Sequence, residues 1–355
     1  VSIKKASGEE VEMVTVPISQ SKFNELLYKR WVRHNAAMVE KLSGGRLGYV
    51  HIEGMNDPSF RTVYSELLSD KNRNREAVIV DTRHNGGGWL HDDLATLLSG
   101  KEYQRFVPQG QYIGSDPFNK WLKPSCVLVC EDNYSNAHGF PWVYKELGIG
   151  KLIGAPVPGT MTAVWWETQI DPSIVFGIPQ VGCVDMRGQY AENNQLQPDI
   201  EVYNKPEDSL KGIDTQLATA VKEMLKAADA AKKAQRALLT WFGEEPTTYH
   251  KVKKYISASD FTDELYQKVA ERMLTDLENG QVNPAAIINM FDDAKEQSDA
   301  ALVFQTKIEK LETKAEQEKA FKDLLLSVKE QSYQYYMSQM GTDMSALTKA
   351  VEGKK

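Results

Sequence analysis

The sequence predicts an α/β unit followed by an all-α unit. Three observations carry that expectation. Two short apolar runs, Ala77-Val78-Ile79-Val80-Asp81 and Cys126-Val127-Leu128-Val129-Cys130, each read as a buried strand. Each run breaks into a small polar or glycine-rich turn, Asn85-Gly86-Gly87-Gly88 in one case and Asn133-Tyr134-Ser135-Asn136 in the other. Near residue 215, segments rich in Gly and Pro give way to long charged stretches with helical periodicity.

The chain opens with alternating apolar residues on either side of Gly8-Glu9, which predicts a terminal β-hairpin within residues 1–16. A sheet-containing core is expected over residues 46–205, including strands 77–81 and 126–130. At the first strand break, three glycines let the backbone turn sharply and aim amides at an anion or carbonyl. No Gly-Lys-Ser/Thr follows, so this is not a phosphate loop. At the second break, Ser135 can present its hydroxyl above a sheet edge as a nucleophile. The alternative is a helix N-cap, which Ser and Asn favour. A glycine-rich amide cradle beside a serine elbow outlines an oxyanion hole next to a nucleophile.

These blocks resemble the tricorn core proteases, a branch of the C-terminal-processing serine peptidases. The resemblance is carried by residues 81–88, 131–139 and 147–154, and by Ala191-Glu192-Asn193-Asn194-Gln195-Leu196-Gln197-Pro198-Asp199-Ile200-Glu201-Val202, and spans residues 1–228. It implies a β-rich peptidase core over residues 46–228, with residues 1–45 forming the end of a PDZ-like domain and a helical linker. Ser135 then matches the nucleophile and Glu192 the carboxylate of the relay. The amides of Gly88 and Asn136 match the oxyanion donors, with Gly87 the alternative if the glycine register slips. A peptide or unfolded-protein substrate and a homo-oligomer follow from the same resemblance.

The match departs at the general base. The family's histidine lies upstream of the PDZ domain and is expected to be missing from these residues, the N-terminus reading as truncated. Of six histidines, His138, three residues from Ser135, and His91, after the glycine loop, are the candidates, against the alternative of ordinary solvated or hydrogen-bonded rings. Glu192 has its own alternative, the satisfaction of local backbone amides. Val157-Pro158-Gly159-Thr160-Met161-Thr162 stands where the family often has a glycine pair. Specificity therefore does not transfer.

Residues 218–237 are rich in Ala and Lys and read as a helix that doubles as a linker. Acids at Asp260, Asp263 and Glu264 mark a helix start, Asn279-Gly280 its end, and Pro284 the next start. Leu302, Phe304, Ile308, Leu311, Phe321, Leu324, Leu325 and Val328 repeat at helical spacing, as in a bundle core. Blocks at 238–242, 250–257, 283–289 and 311–320 resemble the C-terminal domain of bacterial DNA primase over residues 236–350, within a helical domain drawn as 229–355. That resemblance implies docking on a replicative helicase. The competing function is therefore a non-catalytic interaction protein. A generic helical appendage is the plainer alternative.

A length of 355 residues suits two units, and a net charge of −7 argues against a broad nucleic-acid surface. No apolar run approaches the roughly 20 residues of a membrane span. Three cysteines make no disulfide framework. Cys126 and Cys130 are four apart and share one strand face, as buried thiols; a metal pair there lacks further ligands. No metal and no cofactor are expected.

Overall fold

The computed structural model describes residues 1–100, 104–106, 114–116, 120, 121, 123–308, 311 and 313–339. Strands β1 (Ser2–Lys4) and β2 (Glu10–Glu12) form the antiparallel hairpin expected from the sequence, with Gly8 at positive φ in its turn. Helix α1 (Gln20–Ser43) follows, capped at its start by the Ser19 side chain. Next come β3 (Leu47–His51), α2 (Asp57–Leu67), α3 (Asp70–Arg73), β4 (Ala77–Asp81) and α4 (His91–Ser99). A small ribbon, β5 (Gln104–Phe106) and β6 (Gly114–Asp116), leads to β7 (Ser125–Val129), α5 (Asn136–Glu146) and β8 (Lys151–Gly154).

Strands β3, β4, β7 and β8, with the short β11 (Ile200–Glu201), form a five-stranded sheet in the order β11-β8-β7-β4-β3. Every pairing in it is parallel. Both faces of a parallel sheet must be covered, which is why its strands read as unbroken apolar runs. Val50, Val78, Val80, Val127 and Val129 point to one face, against Val63 and Leu67 of α2, Leu94 and Leu97 of α4 and Phe140 of α5. Leu47, Ile79, Cys126, Leu128 and Ile153 point to the other, against Val39 of α1. The α1 segment, expected as a linker, is thus a layer of this unit, because Val32, Ala36 and Val39 give it an apolar stripe. Between β8 and β11 an antiparallel ribbon, β9 (Ala163–Thr168) and β10 (Val175–Val181), carries exposed Trp165, Trp166 and Phe176.

After α6 (Pro206–Ser209) comes the 30-residue helix α7 (Thr215–Glu244). Its first half lays Leu217, Ala220, Val221 and Met224 on the sheet. Its second half puts Leu238, Leu239 and Phe242 into a separate helical core. The expected linker is therefore an unbroken helix shared by two cores. Lys232 pairs with Asp263 at 3.0 Å and Arg46 with Asp229 at 2.6 Å along its exposed side.

The helical core is completed by α8 (Pro246–Val252), a 3₁₀ turn at Ala258–Asp260, α9 (Glu264–Glu278), α10 (Pro284–Ile288), α11 (Ala294–Gln305) and α12 (Lys314–Gln339). The expected caps are present: Asp263 accepts from the Leu265 and Tyr266 amides, and Asn283 from Ala286. Val328 is buried, and Phe304, Phe321, Leu324 and Leu325 pack against the core. The phase of the expected stripe is off elsewhere. Val303 rather than Leu302 is buried on α11, and Leu311 is exposed, because it precedes α12 instead of lying within it. No helix among the described residues is long and apolar enough to cross a membrane.

Candidate active site

The site forms where the chain leaves the carboxyl ends of β4 and β7. The glycine loop after β4 is fixed from below by the segment after β3: the Met55 amide donates to Gly87 O at 3.0 Å and the Trp89 amide to Met55 O at 2.7 Å. Asn85 is buried and holds the loop from inside, its Nδ2 donating to Ile52 O (2.8 Å) and its Oδ1 accepting from the Gly87 amide (2.9 Å). The loop after β7 is tied to it, since the Tyr134 amide donates to Asn85 O at 3.1 Å.

Ser135 sits at the start of α5 with φ 54° and ψ −122°, an uncommon conformation for a residue with a side chain. Ser135 occupies the N-cap position of α5, but its hydroxyl makes no capping bond to the helix. Its amide donates to Thr160 Oγ1 at 3.1 Å. Asn136 is buried, and its side chain joins two helix starts: Oδ1 accepts from the amides of Leu90 (2.7 Å) and His91 (3.1 Å). The Asn136 amide opens α5, where helix amides point outward unpaired.

The amides of Gly87 and Gly88 differ in their partners. The Gly87 amide is already spent on Asn85. Among the hydrogen bonds of the described residues, the amides of Gly88 and Asn136 donate to no protein acceptor. Gly88, at φ 138°, must be glycine, because a Cβ there would lie 2.0 Å from Met55 O. Ser135, Gly88, Asn136 and Glu192 line one cleft of about 490 Å³, with exposed Trp89, Tyr134 and Trp166 at its rim.

Glu192 Oε2 accepts from the amides of Met161 and Thr162, each at 2.7 Å. These amides belong to a segment some thirty residues upstream, not to the Asn- and Gln-rich loop around Glu192, so they are not the local contacts that the sequence offers as its alternative role. Burial would raise its carboxyl pKa, but the Thr162 hydroxyl and these amides outweigh it and hold the group below the usual value.

Neither candidate histidine bonds to Ser135. The Nδ1 of His91 meets Asn136 Nδ2 at 2.8 Å, and the ring packs edge-on against Trp89. His138 is buried and lines a different cavity beside Trp142 and Tyr190. Burial lowers its pKa, partly offset by the charge of Glu192. Among the described residues no histidine hydrogen-bonds to the Ser135 hydroxyl. The sequence reading missed Thr160, Asn85 and the Met55 backbone, which position the site through contacts between distant segments.

Part of the chain matches known proteins. Residues 46–202 match the model of peptidase family S41. A tricorn-like protease C-terminal subunit of Sulfurisphaera tokodaii is 32% identical over 205 residues, covering 57% of this chain and 23% of the relative. Tricorn protease homolog 1 of Streptomyces coelicolor is 27% identical over 231 residues, covering 64% of this chain and 21% of the relative. The crystal structure of the tricorn protease superposes with a TM-score of 0.54 at 24% identity, over 62% of this chain and 21% of that one, which establishes the shared fold. The chain spans less than a quarter of the length of these curated relatives.

Proposed function

We propose that the S41 segment hydrolyses peptide bonds through an acyl-enzyme on Ser135. The observation that carries this reading is the pairing of an uncapped serine hydroxyl with two unspent amides, Gly88 and Asn136, in one cleft. Ser135 Oγ would bond to the scissile carbonyl carbon while its proton passes to a base. The carbonyl oxygen, now negative, would be held by the two amides, helped by the positive end of α5. Collapse would break the C–N bond, the amine leaving with the proton, and water would then release the acyl group. Glu192, ionised by its amide contacts, would orient or polarise the base. Trp89, Tyr134 and Trp166 offer apolar contact to a peptide or unfolded-protein substrate.

No ring bonds to Ser135 among the described residues, and we place the base outside them or in another copy of a homo-oligomer. This chain alone should therefore turn over weakly, since an unassisted serine hydroxyl is a poor nucleophile. The test is acylation by an activated ester, followed by intact-protein and peptide mass spectrometry. A Ser135 adduct that forms faster with added imidazole and is absent in Ser135→Ala supports the reading. An adduct elsewhere, or none, overturns it.

A second reading rests on the separate helical core around Phe242, Phe261 and Met273. Residues 236–350 would dock on a helical partner, with a replicative helicase the first candidate. Titration of the whole chain with a helicase N-terminal domain checks it, and absence of binding at tens of micromolar would discredit it.

A further inference from the structure

On the other side of the two loops, away from the Ser135 cleft, lies a second cluster of chemically active side chains. His84 Nδ1 is 2.8 Å from Asp132 Oδ2 and 4.0 Å from Cys130 Sγ. The three donor atoms all lie within 4.8 Å of one another. They come from adjacent strand ends, His84 just after β4 and Cys130 and Asp132 just after β7. We propose that His84, Cys130 and Asp132 bind a thiophilic divalent cation of the zinc(II) class.

The donor set is the first argument. A thiolate, an imidazole nitrogen and a carboxylate oxygen together suit zinc(II) or cobalt(II) and not the all-oxygen preference of calcium or magnesium. Spacing is the second. Bonds of about 2.3 Å to sulfur and about 2.0–2.2 Å to nitrogen and oxygen place tetrahedral donors roughly 3.3–3.6 Å apart. The observed 2.8 and 4.0 Å fall on either side of that spacing, so a small rotation of the exposed His84 and Asp132 side chains closes the site. Cys130 is the fixed point, buried at the strand end.

The surroundings are the third argument. His84 is held at φ 63°, a conformation costly for a residue with a side chain, while its own amide points at Cys130 Sγ at 3.3 Å. Metal binding would replace the bond that the Cys130 thiol donates to Asn133 Oδ1 at 3.3 Å. Trp31 packs edge-on against the imidazole at 5.5 Å. A cavity of about 360 Å³ opens onto the three residues, leaving room for water at the remaining position. Occupation would release the thiol proton, so affinity should fall with pH. It would also clamp the two loops just before Gly86 and Ser135, independently of whether Ser135 is a nucleophile.

The experiment is a cobalt(II) titration of the whole chain in a Cys183→Ser background, because Cys183 is the partly exposed thiol while Cys126 and Cys130 are buried. A one-to-one rise of sulfur-to-cobalt charge transfer with tetrahedral visible bands, displaced by zinc(II), is expected. Cys130→Ser should abolish the charge-transfer band, and Asp132→Asn should weaken binding about tenfold or more. His84→Ala, at an exposed side chain, gives a folded check should Cys130→Ser unfold, and it should lose the tetrahedral spectrum. No band at millimolar cobalt(II), or a band that persists in Cys130→Ser or His84→Ala, overturns the proposal and leaves an ordinary imidazole–carboxylate pair beside a buried thiol.

Discussion

Gly87 lies so close to Ser135 that a methyl group at Gly87 would stand 2.7 Å from Ser135 Cβ. The same methyl would be 2.7 Å from Tyr134 O and 3.1 Å from the Asn136 amide. The glycine loop and the serine turn are therefore packed backbone to backbone, and Gly87 itself has φ 96°. Its place is steric, with the Gly88 amide, next along, free to face the cleft.

Gly87→Ala should push the serine turn away from the glycine loop. Misplacement of reacting groups by about 1 Å can cost 10²-fold, so Ser135 acylation should fall by about that factor. Stability should fall by about 1–3 kcal/mol from the strained backbone. Gly86→Ala is the control, because a Cβ there meets nothing within 4 Å and its φ is not positive. Acylation rates and urea melts of the two variants check this. Equal behaviour would deny the close packing its role.

Asp81→Asn should destabilise the sheet unit. Asp81 and Arg83 are both buried at the end of β4, with Arg83 Nη2 donating to Asp81 Oδ2 at 2.7 Å and Nε to Oδ1 at 2.9 Å. Burial alone would raise the Asp81 pKa, but the Arg83 guanidinium outweighs it and holds the carboxylate ionised. Removing its charge leaves Arg83 buried with only Asp214 to balance it. Breaking a buried pair costs about 3–5 kcal/mol, and the remaining Asp214 contact places the expected loss near the lower end. Urea unfolding measures it. A loss within error of zero would mean that Asp214 alone suffices.

Those two relationships differ in how readily the sequence discloses them. Strands β4 and β7, and the turns that end them, were legible because a parallel strand covered on both faces has to be an unbroken apolar run. The helix starts at Asp263 and Pro284 were legible because caps are local. Ser135 and the glycine loop stood out once two such strand ends were set side by side. What could not be read were contacts between segments far apart in the chain. The Met161 and Thr162 amides reach Glu192 across some thirty residues, and Met55 props the glycine loop from the segment after β3. The sequence offers Cys126 and Cys130 as a metal pair without further ligands. The approach of His84 to Asp132, 48 residues away, exists only after β4 and β7 pair. The Ala- and Lys-rich stretch suggested a linker, yet its small residues let α7 lie flat on the sheet.

Glu192 should stabilise its loop in a pH-dependent way. Its folded pKa is held below the ordinary 4.5. A depressed carboxyl pKa contributes stability that is complete above the unfolded value and is lost as pH falls through the folded value. Glu192→Gln should therefore lower Tm near neutral pH, and the difference from the parent chain should shrink below pH 4.5 and vanish in stronger acid. The effect is small, because the group is largely solvent-screened. Calorimetry of both proteins from neutral to acid pH checks it. A difference that grows on acidification would reverse the assigned sign.

Helix α7 should transmit order between the two cores. Met224 and Ala228 belong to its sheet-facing half and Leu238 to the helical core, with no break in the helix between them. Ala230 is exposed between the two. A proline there removes one helical hydrogen bond and clashes with the carbonyl one turn back, at a cost of about 3 kcal/mol or more. It touches neither core directly, so Ala230→Pro isolates the continuity of the helix from the packing of its ends. Hydrogen exchange should speed up across the middle of α7 in the variant. Thermal unfolding should separate into two transitions, one for the sheet unit and one for α8–α12. Ala230→Gly should do the same more weakly, at about 1 kcal/mol. If both variants melt in one transition at the parent temperature, the two cores are joined by other contacts, with Lys232–Asp263 and Arg46–Asp229 the first to be removed.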